Sequence, residues 1–88
     1  MNKPIALFDS GVGGLTVLKS AMELLPCENY LYFADNGYFP YGTKPHDELR
    51  LRLTKLLQFL CKFNPKVIVI ACNTASLHVE YLQSLTNV

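Results

Sequence analysis

Three short runs rich in β-branched and aromatic residues, Pro4 to Phe8, Asn29 to Ala34 and Lys66 to Ala71, are each followed by a turn signal and a stretch of helical period. The order βαβαβα implies parallel strands joined by right-handed crossovers, because a helix must carry the chain back to the same end of the sheet. The uninterrupted run Val67-Ile68-Val69-Ile70 reads as a strand covered on both faces. The pattern predicts an α/β fold, a three-layer sandwich on a short parallel sheet.

The helical stretches carry their own periodicity. In the first, Leu15, Leu18, Met22 and Leu25 recur at helical spacing and Pro26 marks the end. In the second, Leu49, Leu53, Leu56, Leu57 and Leu60 form one apolar stripe, while Arg50, Arg52, Lys55 and Lys62 take the solvated side. Asp47 and Glu48 stand in its first turn, where the helix dipole favours acids. The third helix places Val79, Leu82 and Leu85 on one face, and the chain stops just after it, as expected of a part of a longer protein.

With 88 residues, half of them hydrophobic, the chain has material for a single small folding unit. A unit of that size is expected to be marginally stable or to associate with copies of itself. Net charge is only +1, with the basic residues scattered, so nothing points to a nucleic acid partner. The longest apolar run, Val67 to Cys72, is too short to span a bilayer, and the Met1-Asn2-Lys3-Pro4 start is unlike a signal peptide. The expectation is a cytoplasmic protein with no membrane partner. Cys27, Cys61 and Cys72 make no CxxC pair, and their odd number argues against a disulfide framework.

Ligands of open parallel sheets bind beyond the carboxyl ends of the strands, so the chemistry is sought in the three loops there. They read Asp9-Ser10-Gly11-Val12-Gly13-Gly14, then Asp35 through Gly42 to Lys44, then Cys72-Asn73-Thr74-Ala75-Ser76. In a flavodoxin-like strand order, 2-1-3, the first and third loops flank the switch point, and Asp9, Ser10 and Cys72 share one crevice.

The glycine-rich loop matches neither standard phosphate motif. A dinucleotide fingerprint needs glycine where Thr16 stands, and a P-loop needs it where Leu18 stands. The loop is either a tight strand-to-helix turn or a set of N–H groups presented to a small carboxylate. A phosphate- or nucleotide-binding module using this loop and Asp35 is the alternative functional reading. Asp9 either caps its local turn or meets a substrate ammonium or a nearby acid or base, and the residues alone leave this open.

Cys72 closes an apolar strand and opens a helix, a position that favours a thiolate. A cysteine-phosphatase loop would need arginine where His78 stands, and His78 falls on another helix face, which disfavours a local Cys-His dyad. Asn73 and Thr74 either bind a carboxylate or cap the third helix. Cys27 and Cys61 read as structural. His46 and His78 show no metal-ligand spacing with each other or with the cysteines, so no metal is expected.

Taken together, Phe8-Asp9-Ser10-Gly11-Val12-Gly13-Gly14-Leu15-Thr16-Val17-Leu18, Pro40-Tyr41-Gly42-Thr43-Lys44 and Ala71-Cys72-Asn73-Thr74-Ala75-Ser76 resemble the glutamate racemase branch of the aspartate/glutamate racemase family. The resemblance implies a bacterial enzyme that interconverts L- and D-glutamate without a cofactor and supplies D-glutamate for peptidoglycan. It implies two cysteines, one removing the Cα proton and the other returning a proton on the opposite face, with Cys72 matching the first. By the same resemblance Asp9 and Ser10 contact substrate and tune Cys72, and Pro40, Tyr41 and Gly42 line the pocket. Asn73 and Thr74 then bind the substrate's carboxylate or ammonium. Residues 1–88 would be the N-terminal part of the first α/β domain. The second domain and its cysteine are absent from this chain, so the chain alone is expected to be inactive.

Overall fold

A computed structural model describes every residue except Met1, Asn2, Val12, Phe39 and Pro40, and the backbone alone of Tyr38 and Tyr41. Its strands are β1 (Ile5–Asp9), β2 (Tyr30–Ala34) and β3 (Val67–Ile70), and its helices are α1 (Leu15–Leu24), α2 (His46–Cys61), α3 (Asn73–Ser76) and α4 (Val79–Gln83). Two 3₁₀ turns, Asn36–Tyr38 and Tyr41–Thr43, fill the connection from β2 to α2.

All three strands are parallel in the order β2-β1-β3, the flavodoxin-like arrangement expected from the sequence. Ile5 pairs with Tyr30 on one side and Val67 on the other, so the three carboxyl ends finish level. Backbone bonds carry the alignment into the loops: Asp35 N–H donates to Asp9 O at 2.8 Å and Ala71 N–H to Phe8 O at 2.9 Å. The register therefore brings the first residues of all three loops to one edge of the sheet.

β1 is central and every one of its residues is buried. Pleating sends Phe8, Leu31, Phe33, Ile68 and Ile70 to one face, where they meet Leu49, Leu53, Leu56, Leu57 and Leu60 of α2 and Leu82 of α4. All five leucines of the α2 stripe are buried, as its periodicity predicts. α2 ends in two steps suited to its sequence, with Asn64 in the left-handed region at φ 54° and Pro65 following it.

The opposite face is covered differently. α1 lies there through Tyr30, whose hydroxyl bonds to Ala21 O at 2.9 Å and to Leu25 O at 2.7 Å. No residue of α1 is buried. The predicted stripe is left largely uncovered, with Leu18 half-buried and Leu15, Met22 and Leu25 each about half exposed.

Three further expectations need correction. β3 is not fully covered on both faces: Val67 is exposed and Ile68, Val69 and Ile70 are only half-buried. The third helix is broken in two. The N–H groups of Leu77 and His78 bond to carbonyls three residues back rather than four, and His78, at φ −107° and ψ 14°, leaves helical geometry before α4 begins. Of its predicted apolar face only Leu82 is buried. Arg50 and Arg52 are not simply solvated either. Arg52 makes a two-pronged ion pair with the buried Asp35, at 3.0 and 2.5 Å, and Arg50 turns toward His78 and Tyr81. Among the described residues no helix is long and apolar enough to cross a membrane.

Candidate functional site

The first loop is organised by Asp9. Its Oδ1 accepts the Ser10 N–H at 2.7 Å and its Oδ2 the Gly14 N–H at 2.5 Å. A carboxylate is thus folded into its own turn at the start of α1, where a negative charge is favourable. The turn role left open by the residues alone is the one that these bonds fulfil. The same bonds weaken the phosphate reading, because two of the loop's N–H groups, those of Ser10 and Gly14, already serve the Asp9 carboxylate.

Tight packing favours glycine at position 14. A Cβ there would lie 3.0 Å from the Tyr32 hydroxyl and 3.1 Å from both Ala71 Cβ and Asp9 Cβ. Without a side chain here the loop packs closely on Asp9, Tyr32 and Ala71.

Tyr32, not singled out by the sequence reading, belongs to this cluster. Its hydroxyl reaches Gly11 O at 3.4 Å. Burial, and then the Asp9 charge, push its phenol above the ordinary tyrosine range, which keeps it a neutral O–H donor. Strand alternation could have found it: once the register pairs Leu7 with Tyr32, Tyr32 shares a face with Asp9.

The third loop meets the first through sulfur. The Cys72 thiol donates to Ser10 Oγ at 3.5 Å, and both residues are buried. Cys72 is the N-cap of α3 and retains extended geometry, with no side-chain capping bond. Behind it, Ser76 Oγ donates to the Cys72 carbonyl at 2.8 Å. The helix expected after Cys72 is one turn long, so any favourable field there comes from its first N–H groups rather than from a long dipole.

The second loop completes the arrangement. α3 packs on the Tyr41–Thr43 turn. A Cβ built on Gly42 would sit 3.9 Å from Thr74 Oγ1, so these two predicted site residues are neighbours. Asn73 is exposed and Thr74 half-buried. Pro40 lies outside the described residues, and Tyr41 contributes backbone to the turn. Asp35 is committed to Arg52, which removes the basis for reading it as a ribose-binding acid.

Cys61 packs at the end of α2 with its sulfur 3.7 Å from Thr86 Oγ1, in keeping with a structural role. Cys27 is exposed in the turn before β2, so it fills no core space. His46 and His78, which show no metal-ligand spacing in the sequence, do meet, with ring centroids 5.3 Å apart. Among the described residues no three His, Cys, Asp or Glu side chains group as metal ligands. Two cavities, about 160 and about 400 Å³, open beside α2 and the residues after α4, and neither is lined by Cys72.

An open parallel sheet whose buried carboxylate, hydroxyl and thiol converge beyond its strand ends is the ligand-site scaffold of α/β proteins. No family model matches the chain. Its curated relatives are glutamate racemases. It is 55% identical over 73 residues to glutamate racemase 3 of Caldanaerobacter subterraneus, covering 83% of this chain and 27% of the relative. It is 49% identical over 86 residues to the Staphylococcus epidermidis enzyme, covering 97% of this chain and 32% of that one.

Solved structures agree. The Francisella tularensis glutamate racemase, crystallised in complex with D-glutamate, superposes with a TM-score of 0.92 at 40% identity over 98% of this chain and 33% of its own. The Thermus thermophilus enzyme, in complex with β-chloro-D-alanine, gives 0.81 at 47% identity over 90% and 33%. These 88 residues are homologous to a part of glutamate racemases, and they span about a third or less of the length of the relatives they match.

Proposed function

We propose that the chain forms one wall of a glutamate racemase active site, within the N-terminal part of the enzyme's first α/β domain. Cys72 is the acid-base group on one face of glutamate, and its sulfur exchanges a proton with Cα. Asp9 holds the turn that places Ser10, and Ser10 orients the thiol. Asn73, Thr74 and Gly42, with Pro40 and Tyr41, receive the substrate's carboxylate and ammonium. No cofactor takes part. Inversion requires a second cysteine on the opposite face, supplied from outside these residues, so this chain alone does not racemise glutamate. The product serves peptidoglycan synthesis in the cytoplasm.

The observation that carries this reading is the contact of Cys72 with Ser10 across two loops, in a chain about half identical to named glutamate racemases. The substrate is read from the relatives' names and from the D-glutamate complex of one of them.

Two measurements test it. Glutamate titrated into the isotope-labelled chain is expected to shift the amides of Ser10, Cys72 and Thr74, whereas ATP or inorganic phosphate leaves Gly13 and Gly14 unmoved. The reverse pattern would replace the racemase wall with the phosphate module. In D2O the chain alone is expected to leave the inversion of L-glutamate undetectable by chiral chromatography. Turnover abolished by Cys72→Ser would overturn the need for a second wall.

A further inference from the structure

His78 stands at the break between α3 and α4 and is buried, although nothing in the proposed proton transfer uses it. It is held from α2. Arg50 Nε donates to His78 Nδ1 at 3.2 Å, which requires that nitrogen to be unprotonated. The edge of the His46 ring packs against it at 5.3 Å. The Arg50 guanidinium also lies 4.6 Å over the Tyr81 ring of α4, so one arginine ties the break and α4 to α2, while the His78 N–H donates back to Ala75 O of α3 at 3.0 Å.

The connection to the site lies in where these residues sit along the chain. His46 opens α2 just after the Tyr41–Thr43 turn that contains Gly42. His78 follows α3, which contains Asn73 and Thr74 and packs on that same turn. A tie between the start of α2 and the end of α3 therefore fixes the separation of two walls of the site.

We propose that neutral His78 is a positioning residue, which clamps α3 and the Gly42 turn together by accepting the Arg50 hydrogen bond and releases them when it takes up a proton. The clamp rests on the racemase reading for its functional meaning, but its geometry can be tested without any substrate. Protonation would turn the acceptor Nδ1 into a donor facing Arg50 and place a positive charge beside the Arg50 guanidinium. Arg50 and His46 are the groups that act electrostatically on His78, and the carboxylates on the same helices, Asp47, Glu48 and Glu80, are exposed. Burial, and then Arg50 and His46, hold His78 below the ordinary histidine range. Its folded pKa is thus depressed relative to the unfolded chain, so its contribution to stability is present above about pH 6.5 and is lost as pH falls through the folded value.

The test follows backbone amides and histidine ring carbons of the 88-residue chain from about pH 7.5 to about 5, a range that brackets ordinary histidine titration. The amides of Gly42 and Thr74 are expected to move with the midpoint of the His78 ring. His78→Asn supplies a neutral acceptor near the Nδ1 position and a good N-cap for α4, and there the movement should vanish. His46→Gln should keep the movement and raise its midpoint. Amides that stay still, or that follow the His46 ring, overturn the clamp, and the wild-type titration decides this even if a variant fails to fold. Glutamate affinity should weaken toward roughly tenfold per pH unit below the midpoint in the wild type and stay level in His78→Asn. Coupled amides without glutamate binding would sink the substrate reading and leave the clamp standing.

Discussion

α1 and α2 each leave a loop of the candidate site, and each carries an apolar stripe at helical spacing, yet only α2 buries its stripe. α2 is packed along its length by Phe8, Phe33 and Ile70. α1 is fixed at its ends: Gly14 is wedged between strands at the beginning, and the Tyr30 hydroxyl bonds to carbonyls near the finish. Amphipathic period thus reports which face of a helix can be buried, not whether something covers it. For the site, the consequence is that the Gly42 turn rests on a tertiary core, whereas the Asp9 loop rests on local hydrogen bonds.

The sharpest way to break this contrast is in the α2 core. Leu53 is about 1% exposed, so Leu53→Ala removes a buried side chain and leaves a cavity. The expected loss is about 2–5 kcal/mol, a large share of the stability of a small domain. Urea denaturation followed by far-UV circular dichroism measures it. A loss under about 1 kcal/mol would mean that the α2 face is not the support we describe.

Much of this organisation is legible in the residues because it depends on period and order. The parallel sheet follows from βαβαβα, the α2 core from five leucines, and the meeting of Ser10 with Cys72 from the rule that adjacent loops flank the switch point. What escapes is set by tertiary register. Arg50 and Arg52 both fall outside the apolar stripe of α2, but which partner each meets, His78 for Arg50 and Asp35 for Arg52, depends on contacts made by distant segments. The break at His78 is equally hidden, since no proline or glycine marks it. Tyr32 becomes visible only once β1 and β2 are in register.

The next perturbation acts where α1 is attached. Gly14→Ala puts a methyl group against Tyr32, Ala71 and Asp9, two of them through Cβ atoms of the sheet region that cannot swing aside. Overpacking outweighs the entropic gain of alanine in the unfolded chain, for a net loss of about 1–2 kcal/mol. Chemical shifts should change around Asp9 and Ser10 while the Leu53 and Leu60 methyl groups keep theirs. A variant as stable as the parent, with those shifts unmoved, would show that the loop has slack and that steric fit at Gly14 does not anchor α1.

The smallest effect is expected on the uncovered stripe. Met22 is 48% exposed, so Met22→Ala gives up little burial and slightly gains in helix propensity. The change in unfolding free energy should stay within about 0.5 kcal/mol. The measurement gains force when repeated across protein concentration. If Met22→Ala costs as much as a core substitution, and the cost grows with concentration, then copies of the chain cover the stripe in solution. α1 and α2 would then differ in which molecule buries them, and the contrast between an end-anchored and a packed helix would hold only for the isolated chain.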